Sequence, residues 1–111
     1  MITVDTLRKL ALSFPEVIEA PHFEKTSFRV NKKIFATYDN TKNQVCIKLS
    51  EIDQDVFSSF DKSVIFPVDN KWGKLGWTII DLNIVSDDVF TDALMTAYCE
   101  VAPKKLADLV R

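Results

Sequence analysis

The spacing of apolar residues changes period several times along this chain, and each change marks an element. Val4, Leu7, Leu10, Ala11 and Phe14 recur at helical spacing. They predict a first helix over 4–13, with Thr3 as N-cap and Pro15 as terminator. Residues 17–23 read as a short edge strand, because Pro21 has no amide hydrogen to give to a ladder. Period two then takes over. Strands over 26–30 and 33–38 form a hairpin around Asn31-Lys32, where asparagine tolerates the left-handed backbone of a two-residue turn. Residues 44–49 continue the meander, with Val45, Ile47 and Leu49 inward and Gln44, Cys46 and Lys48 outward. The same alternation buries Phe28 and Val30 and lets Arg29 and Lys48 share the exposed face. Ser50 caps a helix over 51–60 whose stripe is Val56, Phe57 and Phe60. A strand over 64–68, a turn over 71–77 and a strand over 77–82 follow. Ser86 caps a helix over 87–101 with a wide apolar stripe, and Pro103 opens a short last helix, 104–110, at its N1 position.

This order predicts a single α+β domain over residues 1–111: two layers, a mostly antiparallel sheet, and helices largely on one face, in the order α-βββ-α-ββ-α with an added edge strand. Phe28, Phe35, Ile47, Phe57, Ile79 and Leu94 are the predicted core. A chain of 111 residues buries roughly two-thirds of its unfolded surface, enough for a core without staples.

The stretch 71–82 holds both tryptophans and both glycines. Gly73 and Gly76 take positive φ at little cost, so a sharp reversal between Trp72 and Trp77 is expected. Beyond it, Trp77 and Ile79 face one side of a strand and Thr78, Ile80 and Leu82 the other. A strand apolar on both faces is central or covered twice. Trp72, between Lys71 and Lys74, is either a packing residue or an anchor on a basic wing.

Apolar content of 47 % and charged content of 27 % are ordinary globular values. The formal net charge of −2 argues against a strong nucleic-acid binder. Its distribution says more. Between His22 and Lys48 six cations (Lys25, Arg29, Lys32, Lys33, Lys42, Lys48) stand against Glu24 and Asp39. From Glu51 to Asp61 there are four acids and no base, and from Asp81 to Glu100 five acids and no base. The hairpins are basic and the helices acidic.

Convergent chemistry is missing. His22 is the single histidine, and Cys46 and Cys99 lack ligand spacing, so no metal, no disulfide and no Cys–His nucleophile is expected. Asp87-Asp88 sits where a helix start favours acids. Two glycines build no phosphate loop or nucleophile elbow. The expectation is a non-enzymatic protein with no cofactor. Distant cysteines, the lack of a secretory segment and the lack of an apolar run near 18 residues set the expectation of a reduced cytoplasmic protein without membrane contact.

Lys71-Trp72-Gly73-Lys74-Leu75-Gly76-Trp77 with a following Asp81-Leu82, and before it Ser27-Phe28-Arg29-Val30-Asn31-Lys32-Lys33-Ile34-Phe35-Ala36, resemble the two signatures of the MmcQ/YjbR-like proteins. Ala97-Tyr98 and Pro103-Lys104-Lys105-Leu106 are similar to that family's closing helix and tail. Asn31-Lys32 stands where the family's turn usually has glycine. The resemblance implies a small α+β domain with a double-wing, secretion-chaperone-like arrangement that is often labelled DNA-binding. On this reading Arg29, Lys32, Lys33, Lys48, Lys71, Trp72 and Lys74 are the nucleic-acid-binding candidates, supplying weak, sequence-tolerant phosphate contacts from two wings. The alternative is a protein- or small-ligand-binding domain that uses the open sheet face, with Arg29, Tyr38 and Trp72 as anchors. Either way a monomer or weak dimer is expected.

Overall fold

The computed structural model describes residues 1–111. Eleven elements follow in chain order: α1 (Val4–Ser13), β1 (Val17–His22), β2 (Lys25–Val30), β3 (Lys33–Asp39), β4 (Gln44–Lys48), α2 (Glu51–Ser58), β5 (Ile65–Pro67), α3 (Lys71–Lys74), β6 (Trp77–Asp81), α4 (Asp87–Val101) and α5 (Lys104–Ala107). The strands form one six-stranded sheet in the order β1-β2-β3-β4-β6-β5, antiparallel throughout. The fold class is the α+β architecture that the periodicity predicts.

The local reasons are mostly those legible in the sequence. Thr3 accepts from the Thr6 amide at 3.2 Å, Ser50 from the Asp53 amide at 3.0 Å and Ser86 from the Val89 amide at 3.4 Å, so each long helix opens on a hydroxyl cap. Asn31 and Lys32 both take positive φ, 52° and 67°, as a two-residue hairpin turn requires. The outer strands are blunted: β1 carries Pro21, and β5 is three residues long and ends on Pro67.

One face of the sheet is buried under the helices. Phe28, Val30, Phe35, Ala36, Tyr38, Val45, Ile47, Ile65 and Ile80 meet Leu7, Ala11, Phe57, Phe90, Ala93, Leu94 and Tyr98 in one core. A register shift after Phe28 makes Phe35 and Ala36 both point to this side. The extra ring reaches Tyr98, edge-on at 5.6 Å, and Phe14 at 6.4 Å. Tyr98 then closes the layer by donating its hydroxyl to the Pro15 carbonyl at 2.7 Å.

Several expectations are corrected. Val56 and Phe60 are exposed, not buried. Gln54, Phe57 and the buried Ser58 hydroxyl are what α2 turns inward, because α2 lies near the β5 edge and has a narrow contact. Ile79 is half-buried on the uncovered face, since β6 alternates and no helix lies on that side. The 71–77 segment is not a simple turn. Asn70 Oδ1 accepts from the Trp72 amide at 2.8 Å and starts the one-turn helix α3. Gly73 there has an ordinary backbone, and only Gly76 has positive φ, 105°. Pro103 occupies the N-cap of α5, not N1, and that helix ends at Ala107. No helix is long and apolar enough to cross a membrane.

Candidate functional site

The uncovered face of the sheet is a groove of about 990 Å³. Strand register lays out its floor in rows. The central row runs Ser27, Thr37, Cys46, Ile79, Phe66. Toward the β2–β3 turn, Arg29 pairs with Ile34 and Lys48 with Trp77. Toward the other end, His22 pairs with Lys25, Asp39 with Gln44, and Gln44 with Asp81. Ile34, Cys46, Trp77 and Ile79 therefore form an apolar floor, and Lys25, Asp39, Lys42 and Gln44 a polar margin.

Two aromatic groups stand on the rim. Phe23, in the turn between β1 and β2, is 93 % exposed and takes φ 57°, a left-handed conformation rare for a bulky side chain. It meets only the edge of His22, ring centres 4.8 Å apart. Trp72 is 51 % exposed on α3, with Lys71 Nζ 5.6 Å from its ring centre, a cation–π distance. The two glycines hold α3 in place. A Cβ on Gly73 would lie 1.9 Å from the Val68 carbonyl oxygen, and one on Gly76 would lie 1.8 Å from that of Leu49. Gln54 adds a side-chain clamp from α2, its amide donating to the Gly73 carbonyl at 2.8 Å and to Thr78 Oγ1 at 3.1 Å.

The predicted site residues separate into committed and free groups. Arg29 does face the open side, as does Lys48. But the Arg29 guanidinium donates to Ser27 Oγ at 2.9 Å and to the Pro21 carbonyl at 3.3 Å, and Lys48 Nζ donates to the Leu49 carbonyl at 3.1 Å. Lys32, Lys33, Lys71 and Lys74 are exposed with no acidic partner. Lys32 lies in the β2–β3 turn and Lys33 opens β3, at the same end of the sheet as the Lys48–Trp77 pair and α3. Two to three strand spacings separate the two protrusions, roughly 10–15 Å. Tyr38 is not an anchor of this face. It is buried on the helix side, donating to Asn43 Oδ1 at 2.8 Å. Sequence reasoning also passed over Phe23, Ile34, Trp77, Lys25 and Lys42. The available signal was β6 itself, apolar on both faces with helices enough to cover one.

Two titratable groups that line the groove, Cys46 and Asp39, are shifted from their ordinary values. Burial pushes the Cys46 thiol up to about 11, against smaller opposing effects of Lys25 and a backbone hydrogen bond, so it stays protonated at neutral pH. The Thr41 hydroxyl, donating at 2.6 Å, lowers the Asp39 carboxyl, helped by Lys25 and Lys42. No three histidine, cysteine or acidic side chains come together to hold a metal ion.

The family model described as YjbR matches residues 12–100. The chain belongs to the YjbR family. Its fold is also that of the Deinococcus radiodurans protein DR2400, a DUF419 domain of known crystal structure. That chain is 19 % identical, with a TM-score of 0.80 over 99 % of this chain and 88 % of that one. No curated protein matches. In YjbR terms, both motifs that carry the sequence resemblance border the open face: the Phe-Arg-Val hairpin at one side and the Trp-Gly segment of α3 at the other.

Proposed function

We propose that this YjbR protein is a non-enzymatic binding module that takes up DNA weakly and with little sequence preference across its open sheet face. One observation carries the reading. The exposed rings of Phe23 and Trp72 stand beside this face, Lys25 and Lys42 line it together with Glu24 and Asp39, and Lys32, Lys33, Lys71 and Lys74 stand at its end, while the acids of α2 and α4 belong to the helical layer. Trp72 offers an exposed face on which a base stacks, with Trp77 half-buried on the floor, and Lys32, Lys33, Lys71 and Lys74 offer ammonium groups without acidic partners to phosphates. The two helices that carry lysines and no acid, α3 and α5, are one turn long, too short to lie along a major groove, which supports sequence tolerance. A second reading rests on the groove's apolar floor of Ile34, Cys46, Trp77 and Ile79: an uncharged small ligand or protein segment bound there.

The test is a tryptophan-fluorescence titration with oligo(dT) and with a short duplex at several salt concentrations. Four or five cations neutralising phosphates predict a log K against log salt slope of about −3 to −4. A Lys32→Glu, Lys74→Glu double variant should abolish binding with its thermal midpoint nearly unchanged, because both side chains are exposed. Wild type that shows no salt-dependent binding at low ionic strength refutes the DNA reading and leaves the apolar one.

A further inference from the structure

The outer surface of α2 carries an apolar stripe that nothing in the fold covers. Ile52 and Val56 lie four residues apart on the helix, and Phe60 follows four residues later, just past the C-cap Ser59. They are 76 %, 50 % and 63 % exposed. The inward side of the helix is already engaged: Phe57 enters the core and Gln54 binds the α3–β6 junction. The Phe60 ring lies 6.1 Å from that of Phe57, so it is braced from below while its outer face stays wet. A solvated surface helix normally shows polar residues outward, and a row of large apolar ones marks an interaction site.

Carboxylates line this stripe. Glu51 and Asp55 each precede one of its residues and run alongside it, Asp61 closes the far end, and no lysine or arginine occurs between Lys48 and Lys62. The geometry points to α2 as the docking site of a cationic amphipathic helix from a partner protein. Its apolar side would seat on Ile52, Val56 and Phe60, and its lysines or arginines would lie beside Glu51 and Asp55. Charge selects this occupant. A second copy seated face to face about a two-fold axis would press like carboxylates together as water leaves. The same acids repel an anionic membrane. The stripe lies on the solvent side of α2, whereas α2 meets α3 through Gln54 on its inward side.

The probe is a fluorescein-labelled leucine–lysine peptide of about 18 residues, patterned as an amphipathic helix and read by anisotropy. A scrambled peptide of equal composition and a glutamate-for-lysine peptide serve as controls. The patterned peptide should bind, with amide shift changes confined to residues 51–61 and neither control binding. An Ile52→Ser, Phe60→Ser double variant keeps every carboxylate and should weaken binding about tenfold or more. Both side chains are exposed, so its thermal midpoint should match wild type. Equal binding by the scrambled peptide or by the variant means charge attraction alone and overturns the proposal. So does a wild-type dimer in sedimentation equilibrium that the variant loses, or binding of wild type to phosphatidylserine vesicles that the variant loses.

Discussion

At Gly76 the backbone turns through φ 105° while the Leu49 carbonyl presses where a Cβ would stand; at Gly73 the pressure comes from Val68. Both contacts are with backbone oxygen, which cannot rotate away. Gly76→Ala and Gly73→Ala should each destabilise by about 2–4 kcal/mol in a urea titration, and each should shift Trp72 emission as α3 is displaced. Cys46 gives the second residue-scale test. Its thiol, raised to about 11, has far less thiolate at pH 8 than a free cysteine. Alkylation by iodoacetamide, mapped by mass spectrometry, should therefore run on the order of a hundredfold slower than for a small-molecule thiol. The linkage sign follows from the raised pKa. Between the ordinary thiol value and about 11 the unfolded chain loses this proton and the native protein keeps it, so stability falls as pH rises through that window. Cys46→Ala should remove that component of the alkaline decline in thermal midpoint.

Among the elements, α2 and β3 show how far periodicity carries. Alternation in β3 alone would bury Phe35 and expose Ala36, but the register shift buries both. Phe35→Ala should cost about 2–5 kcal/mol, and Leu94→Ala, in the middle of the α4 contact, a similar amount. Val56→Ala and Phe60→Ser should each cost well under the Phe35→Ala loss, about 1 kcal/mol or less, because half or more of each residue stays exposed. Chemical denaturation of these four variants separates the covered helix face from the uncovered one. A large loss in either α2 variant would place that side chain in the core and contradict the exposed stripe.

For the whole molecule, the decisive property is the uneven distribution of charge, with α2 and α4 acidic and the open face and its ends net basic. The net charge is −2, yet α2 and α4 carry acids and no base, while Lys25, Lys32, Lys33, Lys42, Lys71 and Lys74 stand around the open side or its ends and outnumber the acids Glu24, Asp39 and Asp81 there. Fields from the two layers do not average to the net value within about 8–10 Å of the surface at physiological salt. The protein should therefore be retained on immobilised heparin at low salt and pH 7 despite its acidic isoelectric point, and the Lys32→Glu, Lys74→Glu variant should flow through. Elution in the void volume for wild type would mean that the acidic layer dominates at contact distance.

The sequence by itself determined the caps, the Asn31-Lys32 turn, the antiparallel meander, the family motifs and the contrast between a basic hairpin region and the acidic helices α2 and α4. These are local properties, set by spacing, by hydroxyls before helix starts and by which residues tolerate left-handed backbone. Tertiary structure decided what locality cannot encode. Whether an apolar residue is core depends on whether another element covers it, so Ile79 and Trp77 became a groove floor while Ile52, Val56 and Phe60 became an exposed stripe. Whether a cation is free depends on neighbours from other strands, so Arg29 and Lys48 were taken up by Ser27, Pro21 and Leu49 while Lys32 and Lys74 were not. Five helices, two of them one turn long, have surface enough to cover only one face of a six-stranded sheet.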